Sequence, residues 1–321
     1  MLSKRNSFNG VTKIMAVAGS IGVITSAELA DGAVTNDKLG TDISITSTQI
    51  ASGAVQGNAI AAYGIEYLAI GGGAQGGFGR GGGGGAGEHQ QSSCSVLKGK
   101  VYSIIVGAGG TSNLDSGNQS FILGDGLQVI SLGGGYGAQG LVNGMCGGSG
   151  GSGGGGAGST TDNADGGGNV PNNGFTGGSG YNDGEPYNAG GGGGADARGS
   201  EHAVGATGGN GRASTITGAS VTRCGGGGSG GFAGLGGGAG GSGGGGAGDS
   251  GSSTGTAGTA NTGGGGGGGG NGANGGAGGS GIVILRIYTD DYSGSTTGSP
   301  TITTTSSFTV LQYTGSGTYT A

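Results

Sequence analysis

Glycine comes in runs in this chain. Near 71–87, 147–158, 190–194, 225–248 and 263–281 it is the dominant residue, and 99 of the 321 residues are Gly. Glycine loses more conformational freedom on folding than any other residue and brings no side chain to bury. Such runs become ordered only if their backbone N–H and C=O groups find partners. Collagen's solution is excluded, because there is no strict G-X-Y period and only 3 residues are Pro. Disorder fits poorly too: only 9% of residues are charged, and Val, Ile and Tyr gather in compact stretches.

Those compact stretches read as strands. Tyr63 to Ile70 runs directly into Gly71, and Val96 to Val106 carries the densest β-branched signal. Ser120 to Leu123 and Leu127 to Leu132 flank Gly124-Asp125-Gly126, a turn signature. Ile282 to Tyr288 closes the glycine-rich body as an almost continuous apolar strand. Sorting the runs by threes, the repeat of an extended polyproline-II-type helix, leaves one all-glycine edge in 225–246 and another in 263–281. Such an edge lets a second backbone approach closely enough for hydrogen bonds between segments. The fold class expected is therefore mostly β and irregular: β-strands bracketing packed polyglycine-II-type helices, with an extended N-terminal shaft or docking segment.

Four regions follow. In residues 1–26, Lys4, Arg5 and Lys13 precede an apolar stretch from Ile14 to Ile24. Glycine and serine dilute it, and it is too short to span a bilayer, so it reads as a docking or assembly segment, with a secretory signal as the minority reading. Residues 27–62 repeat an eleven-residue unit, Leu29 to Leu39 and again Ile50 to Ile60, with Gly in the fourth position. So short a unit buries its aliphatic ends only against other copies. Residues 63–288 form the glycine-rich domain, and 289–321 a C-terminal linker with β-strands.

Chemistry has little support. A net charge of −6 with scattered arginines argues against nucleic acid as a partner. Val106-Gly-Ala-Gly-Gly110 follows a strand, but Ser112 stands where a dinucleotide fingerprint needs its third glycine, and no helix pattern follows. His89 with Cys94, and His202 with Cys224, lack further partners at metal-ligand spacing. Carboxylates are too sparse for a paired acid/base site. The reading is of a non-enzyme with no catalytic residue, cofactor or metal. Cys94, Cys146 and Cys224 are read as small buried thiols, with one disulfide and a free thiol as the alternative. Binding is expected of the loops between glycine runs, where a rigid scaffold concentrates recognition residues. The candidates there are Phe175, Tyr181, Asn182, Asp183, Tyr187, Arg198 and His202.

In order along the chain, Glu66 to Gly73, Tyr102 to Gly110, Ile216-Thr-Gly218 leading to Cys224-Gly-Gly-Gly-Gly, and Gly278 to Arg286 resemble a glycine-rich domain found in tail-fibre-like proteins of phages, marine ones especially. Ala30 to Leu39 resembles repeats of phage fibre shafts. The resemblance implies a structural virion protein of the tail, a fibre or tip adhesin. It further implies a homo-oligomer, with a trimer favoured, that meets other tail proteins through its N-terminus and a host-surface glycan or outer-membrane component through its loops. The alternative is an extracellular bacterial glycine-rich structural or filament-forming protein. Ser307 to Thr320 looks like a strand pair that normally precedes this domain. At the end of this chain it either completes the domain's own sheet or adds to a neighbouring subunit, and the expectation is the latter.

Overall fold

A computed structural model of the chain describes residues 7–8, 11–12 and 62–321, except 141, 143–144, 159–162, 182–187 and 233–235. The chain divides into two compact units, 1–59 and 60–321. In the first, β1 (Ser7–Phe8) and β2 (Val11–Thr12) pair antiparallel, Phe8 opposite Val11. The rest of the expected docking segment and the repeated unit to Ile60 lie outside the described residues.

The second unit contains β3 (Ala62–Ile70), β4 (His89–Leu97), β5 (Val101–Ile105), β6 (Ser120–Gly124), β7 (Leu127–Ser131) and β8 (Arg212–Ser214). It continues with β9 (Val221–Arg223), β10 (Ile282–Tyr288), β11 (Thr296–Thr297), β12 (Thr301–Thr304), β13 (Phe308–Tyr313) and β14 (Gly317–Thr320). They form two five-stranded antiparallel sheets, in the orders β12-β13-β10-β3-β4 and β11-β14-β5-β6-β7, and a β8–β9 pair. Between the five-stranded sheets lies the main core. Tyr67, Leu285 and Leu311 of the first sheet meet Tyr102, Ile122 and Tyr319 of the second.

Strand β10 sits in the middle of its sheet, with Ile284 opposite Leu68 on one side and Gln312 on the other. Its odd-numbered residues Val283, Leu285 and Ile287 face the main core, and Ile282 and Ile284 face a second cluster with Leu68, Ile70 and Val310. Burial on both faces is why 282–288 is apolar almost throughout instead of alternating. Strand β5 has one buried face and alternates accordingly: Tyr102 and Ile104 are buried, and Val101, Ser103 and Ile105 are exposed.

Two strand expectations change. The Val96–Val106 stretch is not one strand: Gly99, at φ 78°, turns the chain from β4 in one sheet into β5 in the other. Strand β4 is mostly polar and still pairs with β3 over nine residues, from Ala62↔Leu97 to Ile70↔His89. By contrast, the Gly124-Asp125-Gly126 turn forms as read, with Asp125 and Gly126 both at positive φ between β6 and β7. Residues 289–321 pair into both sheets, β13 with β10 and β14 with β5. The strand addition to a neighbouring subunit expected of Ser307 to Thr320 is thereby corrected: both strands are consumed in the chain's own sheets.

The glycine runs form no helices among the described residues. Among the described residues the regular structure is antiparallel sheet, and the one helical element is a 3-10 turn at Thr289–Asp291. The expected polyglycine-II-type helices are therefore corrected. Left-handed residues interrupt three of the runs, at Gly79 and Arg80, at Gly236, Gly243 and Gly244, and at Gly272, so that short irregular segments replace any continuous helix.

These segments are nonetheless ordered, by their backbones. Gly82, Gly83 and Gly84 donate N–H bonds to the carbonyls of Ala138, Gly190 and Gly266 (2.9, 3.0 and 2.8 Å). Gly85, Ala86 and Gly87 donate to Gly135, Gly193 and Gly263 (2.8, 3.0 and 2.9 Å). Six successive amides thus tie one segment to three others. Residues 81–89 are all buried, and a Cβ on Gly82, Gly83, Gly84 or Gly85 would come within 3.0 Å of the neighbouring backbone. The contact is not confined to one glycine edge, as sequence sorting suggests; it closes around the chain. This glycine layer covers half of the first sheet's outer face, where Ala86, Ala195, Ile216 and Cys224 pack on Leu68, Ile70 and Ile284.

Candidate binding surface

The uncovered half of that outer face begins where apolar side chains give way to charge. Glu66 on β3 and Arg286 on β10 stand opposite each other in register, and Arg286 Nη1 lies 3.3 Å from Glu66 Oε2. The Arg286 guanidinium also lies over the Phe308 ring, 3.8 Å from its centroid. Tyr288 packs beside Phe308, with ring centroids 4.8 Å apart and a tilt of 31°. The guanidinium is held by a carboxylate and an aromatic face together, a geometry that Arg's planar fork favours. Gly64, Ile65 and Ser93 complete a pocket of about 200 Å³ around these groups. Nothing stands within 4 Å of where a Gly64 Cβ would be, so this glycine is a notch in the strand.

Glu66 and Ser93 also line a larger adjoining cleft of about 630 Å³, with His89, Gln91, Asn173 and Arg212. Alternation along β4 explains part of this set: His89, Gln91 and Ser93 sit two apart, and Ser93 pairs with Glu66. Arg212 enters from β8, held by bonds from Nη2 to the Ala195 carbonyl (2.6 Å) and from Nη1 to the Asn172 carbonyl (2.9 Å). Asn173 is fixed by its Nδ2 donating to Glu88 Oε1 (2.7 Å), while Glu88 Oε2 accepts from the Leu132 amide (2.8 Å). His89 is 2% exposed, and its Nε2 has no hydrogen-bond partner. Burial, with the Arg212 charge adding to it, lowers the His89 pKa to about 4, so the ring is neutral near pH 7.

The loop candidates read from sequence lie elsewhere in the same unit. Tyr181 and His202 come together, ring centroids 4.8 Å apart, and the His202 amide donates to the Ser179 carbonyl (2.9 Å). Arg198 pairs with Glu201 at 2.7 Å. Phe175 is exposed, and its backbone is tied to Gly194 and Gly153 by bonds of 3.0 Å each. Asn182, Asp183 and Tyr187 lie outside the described residues. Among the described residues, no group of three or more His, Cys, Asp or Glu assembles that could hold a metal ion. None of the cysteines is in a disulfide, and of the three expected buried thiols only Cys224 is buried; Cys94 is partly so and Cys146 is exposed.

The cleft and pocket escape a reading by motif, because β3, β4, β10 and β13 bring their residues from positions 64 to 308. One signal exists in the sequence: Arg286 interrupts an otherwise apolar strand, and a charge there calls for a partner such as Glu66.

An antiparallel double sheet with one face partly covered by hydrogen-bonded glycine segments is the framework on which these surfaces stand. A family model described as a glycine-rich domain matches residues 46–288, and the chain belongs to that family. No curated protein and no solved structure matches it.

Proposed function

We propose that the chain is a structural binding protein of a virion, a phage tail fibre or tip adhesin, whose loops contact a host-surface glycan or outer-membrane component. The observation that carries this reading is the union of exposed loop residues with a scaffold fixed by its own backbone. Tyr181 packs against His202 at a tilt of 32°, and the segments on either side are bonded to the layer through Gly178 N–H to Gly191 O (2.8 Å) and Gly191 N–H to Ser200 O (2.9 Å). Recognition groups held in place before contact lose little entropy on binding. The ordered motif series resembling tail-fibre-like proteins supports the viral setting.

Immunogold labelling with an antibody to this chain tests the setting: gold on tail tips of phage particles is expected, and gold on free filaments or cell surfaces refutes it. Replacing Tyr181 and His202 by serine, which keeps the 190–194 segment in place, is expected to abolish adsorption while leaving particles intact. The repeat in 27–62 supports assembly as a trimer, with other tail proteins contacted through 1–26. Light scattering on the full chain and on a chain lacking 1–61 tests this, with trimer and monomer as the expected masses.

A further inference from the structure

The open half of the first sheet's outer face carries groups that no loop reading uses. We infer that the groove running from Tyr288 and Phe308 across Glu66 and Ser93 to Arg212 is a binding site for a neutral saccharide, independent of the loops and of the virion setting.

Three features point to that chemistry. The first is the division of the groove into an aromatic end and a polar end. Tyr288 is 58% exposed beside Phe308, and its ring offers an electron-rich face to the electropositive C–H bonds on one side of a sugar ring. The polar end supplies Gln91, Ser93 and Asn173, neutral side chains that both donate and accept, as hydroxyl groups require.

The second is charge balance. Arg286 is paired with Glu66 at 3.3 Å, and Arg212 lies 4.0 Å from Asp196 while its Nη atoms bind two carbonyls. His89, beside Arg212, is neutral above its lowered pKa of about 4. Each lining arginine thus faces a carboxylate instead of standing free for an anion, and fixed, paired charges still orient hydroxyl groups.

The third is the notch at Gly64. An extended strand favours a β-branched or aromatic residue, yet the chain keeps a glycine where a side chain would meet only open space. Its absence deepens the pocket between Arg286 and Tyr288 and leaves room for a ring to lie flat. The two compartments, of about 200 and 630 Å³, offer more room than a single sugar fills, which suits an oligosaccharide.

The test uses the full chain and titration calorimetry against maltohexaose, laminarihexaose, cellohexaose and chitohexaose, with hexagalacturonate as the acidic arm. Binding to at least one neutral hexamer is expected. Gly64→Val, which fills the notch, and Tyr288→Ala, which removes the platform, should each weaken it about tenfold or more, with thermal melts unchanged. Tyr181→Ala should leave it unaltered. Absence of binding to every neutral hexamer overturns the proposal, as does binding that survives both groove substitutions. Preference for hexagalacturonate would also overturn it, by making Arg212 the core of an anion site. Loss of sugar binding on Tyr181→Ala would move the site to the loops. Because the adhesin reading stands on particle labelling and loop substitution, either conclusion can fail alone.

Discussion

Replacing Gly83 by alanine adds one methyl group to the chain, and the structure says that this methyl has nowhere to go. Its Cβ would come within 3.0 Å of the Gly227 oxygen and carbonyl carbon and of the Gly192 nitrogen, all of them backbone atoms that no rotamer change can clear. Gly227 must therefore shift. Its amide donates to the Gly84 carbonyl (2.9 Å) and its carbonyl accepts from Gly192 (2.8 Å), so the shift breaks or stretches both bonds in a buried layer. Two buried groups left without partners cost about 2–6 kcal/mol and overpacking about 1–3 kcal/mol, so the loss is roughly 3–9 kcal/mol. A domain's whole stability is about 5–15 kcal/mol, so Gly83→Ala removes a large part of it.

Gly64→Ala is the matched control: the same methyl enters open space on an extended strand. It should be neutral or stabilising by about 0.5 kcal/mol through the lower entropy of the unfolded chain. Urea unfolding followed by the fluorescence of the 10 tyrosines, with no Trp to obscure them, measures both. If the two variants unfold within about 1 kcal/mol of each other, the closed glycine layer is wrong.

Other expectations follow from named residues. Burial lowers the His89 pKa to about 4, with Arg212 and Arg223 also opposing protonation and Asp196 favouring it. The unfolded chain therefore takes up this proton first as pH falls; stability present above about pH 6.5 declines toward pH 4 by roughly 3 kcal/mol, and His89→Gln should flatten that slope in urea midpoints. Cys224 is buried with its thiol pKa raised, Cys94 is raised to about 11 by burial, and Cys146 is exposed. Thiol labelling at about pH 8 should reach Cys146 first and Cys224 only on unfolding; equal rates would contradict the burial of Cys224. Deleting 301–321 removes Leu311, Tyr313 and Tyr319 from the main core, each worth about 3 kcal/mol or more, so the product should aggregate. A soluble, cooperatively melting truncated chain would show that these strands are dispensable.

How much could be read in advance depends on where each element's information resides. Ile282–Tyr288 and the Gly124-Asp125-Gly126 turn are local, one marked by burial on both faces and the other by backbone sterics, and both are legible in sequence. Strand β4 is not, because His89-Gln-Gln-Ser-Ser carries no apolar alternation and becomes a strand by pairing along β3. The lysines and glycine at 98–100 hide a sheet-to-sheet turn inside what reads as one long run. Order in the glycine runs is legible from the need to satisfy backbone groups, but their conformation is not, since glycine imposes no regular repeat. Among site residues, Tyr181 and His202 are visible as loop aromatics, whereas the groove exists only after four strands from both ends of the domain are aligned.

The glycine layer also sets how the unit should respond to temperature. Its segments bury amide groups rather than hydrocarbon, as the bonds of Gly82 to Gly87 show. Exposing polar surface on unfolding lowers the heat capacity, while exposing apolar surface raises it. A domain in which backbone amides replace much of the usual oily interior has a shallower stability curve than its size would suggest. It loses less on cooling, since the part of its cohesion that fades in cold water is confined to the two sheets and their shared core.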